Sequence, residues 1–124
     1  MAIDDPLTET IIGAAIEVRK QVGCGLLESA YQAFLCIELE KANLSFRSQP
    51  TLPVVYSGRR VEIAYRPDLI VGDQVIVELK TVTMFSPVHQ AQILTYLRLS
   101  GIRTGLLINF HAIPFKAGIK RFVM

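Results

Sequence analysis

The first third of the chain carries apolar residues at helical spacing and predicts two helices. Between residues 7 and 22 these residues recur every three or four positions, after Asp5, a suitable N-cap, and Pro6, which fits the first helical position. A second pattern of this kind covers residues 26–42, and Asn43 can end that helix in the left-handed conformation. We therefore expect two consecutive helices joined by a short turn.

The remainder of the chain alternates short apolar runs with turn residues, which predicts a series of strands and one further helix. This helix is expected to begin after Ser86, as its N-cap, with Pro87 in the first position, and to end at Gly101. The strand-like runs cover residues 45–49, 52–56, 61–65, 68–71, 75–80, 104–110 and 119–123. The almost wholly apolar run at 104–110 is typical of a central strand, and the last run is expected at an edge. This order predicts one α/β domain over residues 1–124, with a mixed central β-sheet flanked by helices.

The two strands around residue 73 can pair in two registers, and the choice decides where two carboxylates lie. A two-residue loop at 72–73 leaves Asp68 and Glu78 on different faces, each alone among apolar neighbours. A three-residue loop at 72–74 makes one face wholly apolar and sets Asp68 opposite Glu78 on the other. The second register is the consistent one, because every pair then matches in polarity.

In the second register, the facing carboxylates predict a cation site. Their Cβ atoms would lie about 4.5–5.5 Å apart, and two such groups repel each other and raise a pKa unless a cation neutralises them. Mg²⁺ is a natural partner because it prefers oxygen ligands. Lys80 shares this face and can stabilise negative charge on a hydroxide or a phosphate. An ordinary solvated charge patch is the alternative, but Ile70 and Ile76 on the same face favour a buried site.

Composition limits the kind of protein and the kind of partner. With 124 residues and 51% hydrophobic residues, the chain is apolar for a lone monomer, which indicates a sheet buried on both faces or a surface used for self-association. A net charge of +2 excludes a protein that coats DNA through its overall charge. Contacts with nucleic acid would therefore depend on a local patch of charge.

The same composition predicts a cytoplasmic protein without a membrane span. No run approaches the roughly 18 apolar residues of a membrane-spanning helix, and the acidic N-terminus lacks the features of a signal peptide. Cys24 and Cys36 are too few for a disulfide scaffold and do not have zinc-site spacing, so we expect reduced thiols.

Three motifs resemble those of known nuclease families. Pro67-Asp68, followed after nine residues by Glu78-Leu79-Lys80, resembles the PD-(D/E)XK motif of the superfamily that includes restriction enzymes and Holliday-junction resolvases. Residues 25–31 match the G-x-x-E-x-x-Y pattern of the GxxExxY proteins through Gly25, Glu28 and Tyr31. Residues 92–96 match the Q-x-x-x-Y pattern of related exonuclease domains. The resemblance extends over nearly the whole chain.

The resemblance implies a restriction-endonuclease-like core and a nuclease that uses Mg²⁺ or Mn²⁺, with DNA as the expected substrate. By position, Asp68 and Glu78 would be metal ligands, Glu28 would complete the metal site, and Lys80 would stabilise charge or orient water. Gln92 and Tyr96, one helical turn apart, would reach the same site or a phosphate. The catalytic set would thus comprise Asp68, Glu78, Lys80, Glu28, Gln92 and Tyr96.

Several alternatives remain open from the residues alone. Glu28 could simply favour the start of its helix, Tyr31 is expected to pack with its hydroxyl bonded, and Gln92 and Tyr96 could be a surface and a core residue. The main functional alternative is a non-catalytic module that binds nucleic acid or protein and retains the fold. A homodimer or a partner protein is compatible with either function.

Overall fold

The computed structural model describes residues 5–124, apart from the side chains of residues 62–64. Most of the acidic N-terminus, for which we expected no signal peptide, lies outside the described residues. The helices are α1 (Pro6–Val22), α2 (Glu28–Lys41) and α3 (Pro87–Ser100), with a short 3-10 helix at Phe115–Gly118 that the sequence did not predict. The strands are β1 (Phe46–Ser48), β2 (Leu52–Tyr56), β3 (Arg59–Tyr65), β4 (Leu69–Val71), β5 (Val75–Lys80), β6 (Thr104–Asn109) and β7 (Ile119–Val123).

The ends of the helices follow from the predicted capping residues. The Asp5 carboxylate accepts hydrogen bonds from the Leu7 N–H at 3.0 Å and from the Thr8 hydroxyl at 3.1 Å, which satisfies donors that the first turn cannot pair internally. Gly101 ends α3 with a left-handed φ of 74°. Asn43, predicted to be left-handed, has a φ of 59°.

Five strands form a mixed sheet in the order β1-β4-β5-β6-β7, and β2 and β3 form a separate two-stranded sheet. Only the β5–β6 pair is parallel in the larger sheet. The prediction of a central strand at 104–110 and an edge strand at 119–123 is confirmed. The pairs Leu69–Val77 and Val71–Val75 confirm the register with a three-residue loop. The α/β fold with a mixed central sheet flanked by helices is therefore confirmed.

Both faces of the larger sheet are buried, which explains the apolar composition. One face packs against α1 and α2 through residues such as Leu69 and Val77, and the other packs against α3 and β2 through Ile70, Ile76 and Leu107. Alternation along β4 and β5 sends successive side chains to opposite cores. Glu78 and Lys80 point to the same side as Ile76, so the candidate site lies on the α3 face.

Helical periodicity overestimated burial at several positions, two of which lie between α1 and α2. Val22 and Ile37 follow the apolar pattern of α1 and α2, but 37% and 52% of their surfaces are exposed. Both line a shallow groove between the two helices. The reason is that the helices meet the sheet along a narrow stripe, so residues at the margin of the pattern remain in solvent.

Within residues 5–124, no helix is both long enough and apolar enough to cross a bilayer.

Candidate functional site

The candidate site begins where the ladder between β4 and β5 ends. Beyond the Leu69–Val77 pair, two side chains take over the bonding between the strands. The Asp68 N–H donates to Glu78 Oε1 at 2.6 Å, and the Leu79 N–H donates to Asp68 Oδ2 at 2.8 Å. Pro67 precedes Asp68 and has no N–H to continue the ladder. Each carboxylate is thus fixed by a backbone donor of the opposite strand.

Burial perturbs both carboxylates, and repulsion by Asp68 adds to its effect at Glu78. Only 3% of Glu78 is exposed, and burial, followed by the charge of Asp68, raises the pKa of Glu78 to about 8. Burial also raises the pKa of Asp68, although the hydrogen bond from Leu79 and the charge of Lys80 oppose this. We expected repulsion to raise a pKa at this pair, and loss of hydration is the larger cause because the strands are enclosed on both faces.

Lys80 connects the carboxylates to helix α3. Its Nζ lies 3.7 Å from Glu78 Oε2 and donates to Gln92 Oε1 at 2.9 Å. The Gln92 amide nitrogen in turn donates to the Tyr96 hydroxyl oxygen at 3.1 Å. The i, i+4 spacing of Gln92 and Tyr96 on one face of α3 therefore places both side chains in one chain of contacts with Lys80.

The environment of Tyr96 keeps its hydroxyl protonated. Burial and then the negative charge of Glu78 raise the pKa of Tyr96 to about 12. Since the Tyr96 oxygen accepts from the Gln92 NH₂ group, the amide is oriented with its own oxygen towards Lys80. The chain of contacts thereby fixes the position of the Lys80 ammonium group.

Glu28 approaches the site from α2. Burial raises the pKa of its half-buried carboxyl group, the charge of Asp68 raises it further, and the charge of Lys80 lowers it. Glu28 therefore lies within the electrostatic range of both residues. Its carboxylate makes no hydrogen bond to either of them in the described part of the chain.

The G-x-x-E-x-x-Y segment has a structural logic that positions Glu28. Gly25 has a φ of 98°, a conformation that residues with side chains rarely adopt. The buried Tyr31 hydroxyl donates to the Gly23 carbonyl at 2.7 Å and accepts from the Leu26 N–H at 3.3 Å. The predicted bonding of Tyr31 is thus confirmed. α2 begins at Glu28 because the preceding residue, Leu27, has an extended backbone with a ψ of 148°.

The donor set fits a hard divalent cation. The backbone bonds use Asp68 Oδ2 and Glu78 Oε1, and of the two remaining oxygens, Asp68 Oδ1 and Glu78 Oε2, the second lies 3.7 Å from Lys80 Nζ. Carboxylate oxygens are the ligands that Mg²⁺ and Mn²⁺ prefer, and a cation would offset the repulsion between these groups. Among residues 5–124, no three His, Cys, Asp or Glu side chains form a ready metal-binding group in this conformation. Glu28 would therefore have to move closer to act as a third ligand.

Sequence reasoning missed three residues that support the site. Gln32 donates to the Asp68 carbonyl at 3.3 Å. The buried Asn109 bonds both the N–H and the carbonyl of Val82, at 3.1 and 2.7 Å, and so holds the loop after β5. Tyr65 packs edge-on against Tyr96, with ring centroids 6.3 Å apart. A polar residue at the end of an apolar strand was a usable signal for Asn109, whereas Gln32 and Tyr65 gave none.

The two histidines serve the backbone near the site. His89 Nδ1 accepts the Ser86 N–H at 3.0 Å and completes the first turn of α3. His111 Nε2 lies 3.1 Å from the Leu26 carbonyl, beside Tyr31. These contacts give each histidine a structural role.

A cleft of about 440 Å³ opens beside Lys80. Its walls come from the end of β3, the end of β5 and one side of α3. The lining residues are Tyr65, Lys80, Val88, His89, Ala91, Gln92, Thr95 and Tyr96.

The family of the chain follows from its sequence as a whole together with this geometry. A family model of the PD-(D/E)XK nuclease superfamily matches residues 5–122, a region that includes every residue of the candidate site. No curated protein and no solved structure gives a significant match. On the strength of the family match over nearly its full length, the chain belongs to the PD-(D/E)XK nuclease superfamily.

Proposed function

We propose that the protein is a nuclease that depends on Mg²⁺ or Mn²⁺ and hydrolyses phosphodiester bonds in DNA. Membership of the superfamily supports a nuclease-like function and nucleic acid as the partner. The observation that carries the proposal is the carboxylate pair Asp68 and Glu78, each held by a backbone N–H of the opposite strand, with the Lys80 ammonium group 3.7 Å from Glu78. A pair of buried carboxylates beside a fixed cationic group suits metal-assisted hydrolysis better than a binding surface.

Asp68 and Glu78 would hold the cation, and Glu28 would complete the site from α2. When bound, such a cation supplies Lewis-acid activation of water and of the phosphodiester. Cross-strand hydrogen bonds already fix both carboxylates, so little conformational freedom is lost on binding. This preorganisation is what a metal site needs from its supporting backbone.

Lys80 would stabilise negative charge that develops on the phosphate during attack. Its ammonium group is held by Gln92, which is oriented by Tyr96. A donor fixed before the reaction starts stabilises a transition state without reorganisation. Gln92 and Tyr96 therefore act as positioning residues for Lys80.

Four further proposals accompany this function. We propose that the chain is one of the GxxExxY proteins, on the strength of the Gly25, Glu28 and Tyr31 arrangement. We propose that residues 1–124 form a single domain, because the two cores share one sheet. The free thiols of Cys24 and Cys36 support the cytoplasm as the location. DNA or a partner protein would meet the α3 face, and a homodimer would present two such faces.

A cleavage assay tests the nuclease proposal. Wild type, Lys80→Ala and Lys20→Ala are incubated with labelled single-stranded, duplex and branched DNA and with RNA, in Mg²⁺, in Mn²⁺ or in EDTA. We expect metal-dependent cleavage of DNA that falls by about 10²–10³-fold in Lys80→Ala. Lys20 is exposed on α1, and its replacement removes the same charge away from the site.

The outcomes separate the nuclease from its main alternative. Cleavage that continues in EDTA refutes the role of the metal, and cleavage by Lys80→Ala at the wild-type rate refutes the role of Lys80. Binding of nucleic acid without any cleavage by wild type, with Mg²⁺ binding verified by calorimetry, would indicate the non-catalytic module. Cleavage of RNA alone would correct the substrate from DNA to RNA.

A further inference from the structure

The cleft beside Lys80 is lined by an aromatic residue, Tyr65, that the proposed chemistry does not use. Tyr65 ends β3 three residues before Asp68, so the chain passes directly from this ring into the carboxylate pair. The Tyr65 and Tyr96 rings meet edge to face at an interplanar angle of 71°. Tyr96 is only 4% exposed, whereas 37% of the Tyr65 residue surface is exposed. Tyr96 therefore supports Tyr65 from the protein side and leaves the Tyr65 ring open to a ligand.

The opposite side of the cleft is apolar, and its inner end is polar. Val88, which is 73% exposed, and Ala91 line it from the first turns of α3. Lys80 and Gln92 close the end that adjoins the carboxylates. A flat apolar ligand that carries a negative charge at one end would match this distribution, and a nucleotide has that form.

We propose that the cleft is a subsite for one unpaired nucleobase, stacked on Tyr65, in the nucleotide whose phosphate reaches Lys80. The volume of about 440 Å³ lies within the range of small-ligand pockets. Every base offers a flat π face, so stacking on an aromatic residue tolerates any sequence. This inference rests on the proposed nuclease function and narrows its substrate.

The subsite selects against continuous duplex. A base inside a duplex is already stacked on both sides and must be turned out before it can enter a pocket. A single strand, a flap or a frayed end offers its bases without that expense of free energy. The protein should therefore prefer substrates with unpaired nucleotides.

Binding measured without turnover tests the subsite. A fluorescein-labelled single-stranded oligodeoxynucleotide and the corresponding blunt duplex are titrated with wild type, Tyr65→Ala, Tyr65→Phe and Tyr56→Ala, with Ca²⁺ in place of Mg²⁺. We expect Tyr65→Ala to weaken binding of the single strand about tenfold and of the duplex less than twofold. Tyr65→Phe keeps the ring and should bind as wild type does. Tyr56, 76% exposed at the tip of the same hairpin, is the matched control and should have no effect.

A base analogue gives a second signal that a merely structural role would not produce. A single strand with 2-aminopurine at every third position should lose fluorescence on binding wild type or Tyr65→Phe, and should lose less on binding Tyr65→Ala. An equal loss of affinity for single strand and duplex, or equal quenching by all variants, would overturn the subsite. A defect in Tyr65→Phe as large as that in Tyr65→Ala would overturn the stacking role.

Cleavage in Mg²⁺, followed in parallel, separates this inference from the proposed function. If Tyr65→Ala weakens binding of the single strand more than of the duplex, but wild type cleaves neither, hydrolysis is refuted and the subsite is supported. If wild type cleaves DNA, but Tyr65→Ala affects binding of single strand and duplex equally, the nuclease is supported and the subsite is refuted.

Discussion

Replacing Glu78 with glutamine should stabilise the protein in the absence of metal. Glu78 is 3% exposed, and its Oε1 accepts the Asp68 N–H at 2.6 Å. The substitution keeps an oxygen acceptor in the same place and removes the charge. Because the pKa of Glu78 is raised to about 8 in the folded state from an ordinary value of 4.5, the folded protein holds a proton that the unfolded chain releases. The free energy of unfolding should therefore fall as the pH rises from about 4.5 to about 8.

The size of the effect follows from the same two pKa values. A tenfold change in an acid constant corresponds to about 1.4 kcal/mol, so ionising Glu78 destabilises the fold by about 4–5 kcal/mol once the pH exceeds 8. The pKa already includes the charge of Lys80 and the bond from Asp68, so the remaining cost is that of replacing a protonated carboxyl group with an amide that pairs less well, about 1–2 kcal/mol. We expect Glu78→Gln to be about 2–3 kcal/mol more stable than wild type above pH 8, and to lose that advantage near pH 5.

Urea unfolding at pH 5.0 and 8.5 in EDTA measures the difference. Glu40→Gln, on the exposed side of α2, removes one carboxylate of the same type and serves as the control. Wild type and Glu40→Gln should both lose stability over this interval, and Glu78→Gln should lose much less. Parallel losses in wild type and Glu78→Gln would show that Glu78 ionises in the fold as freely as in water. Saturating Mg²⁺ should narrow the gap at pH 8.5, because wild type alone binds it with both carboxylates.

Two predictions concern the supports of the site, both measured by chemical denaturation. Tyr31→Phe removes a hydroxyl that bonds Gly23 and Leu26, so it should cost about 1–2 kcal/mol of stability, and unchanged stability would mean that this loop does not depend on the bond. Asn109→Ala leaves both backbone groups of Val82 without a side-chain partner, so it should cost about 2–3 kcal/mol and speed amide exchange at Val82. If amide exchange at Val82 in Asn109→Ala is as slow as in wild type, Asn109 does not hold the loop after β5.

Local sequence determined the elements and the register of the central hairpin. Asp5 and Gly101 mark helix ends because a side-chain acceptor and a left-handed residue act within one turn. The three-residue loop followed from polarity matching, since a shift by one residue would send every side chain to the wrong face. Asp68 and Glu78 were therefore expected to adjoin each other before any long-range contact was known.

Tertiary packing decided how those two carboxylates are held and what surrounds them. Their reciprocal bonds to backbone N–H groups form beyond the last ladder pair, Leu69–Val77, and the register alone does not predict them. Burial by helices on both faces, and not repulsion alone, raises the pKa of Glu78. Loss of hydration depends on everything packed around a group, so no local pattern encodes it.

The sequence did not determine which distant segments pack beside the carboxylates. Glu28 comes near Asp68 because α2 packs against β5, and Tyr65 meets Tyr96 because the β2–β3 hairpin packs against α3. The motifs named Glu28 and Tyr96 but gave no distance, and no motif included Tyr65. Periodicity shows which face of an element is buried, whereas the partner of that face depends on the packing of the whole chain.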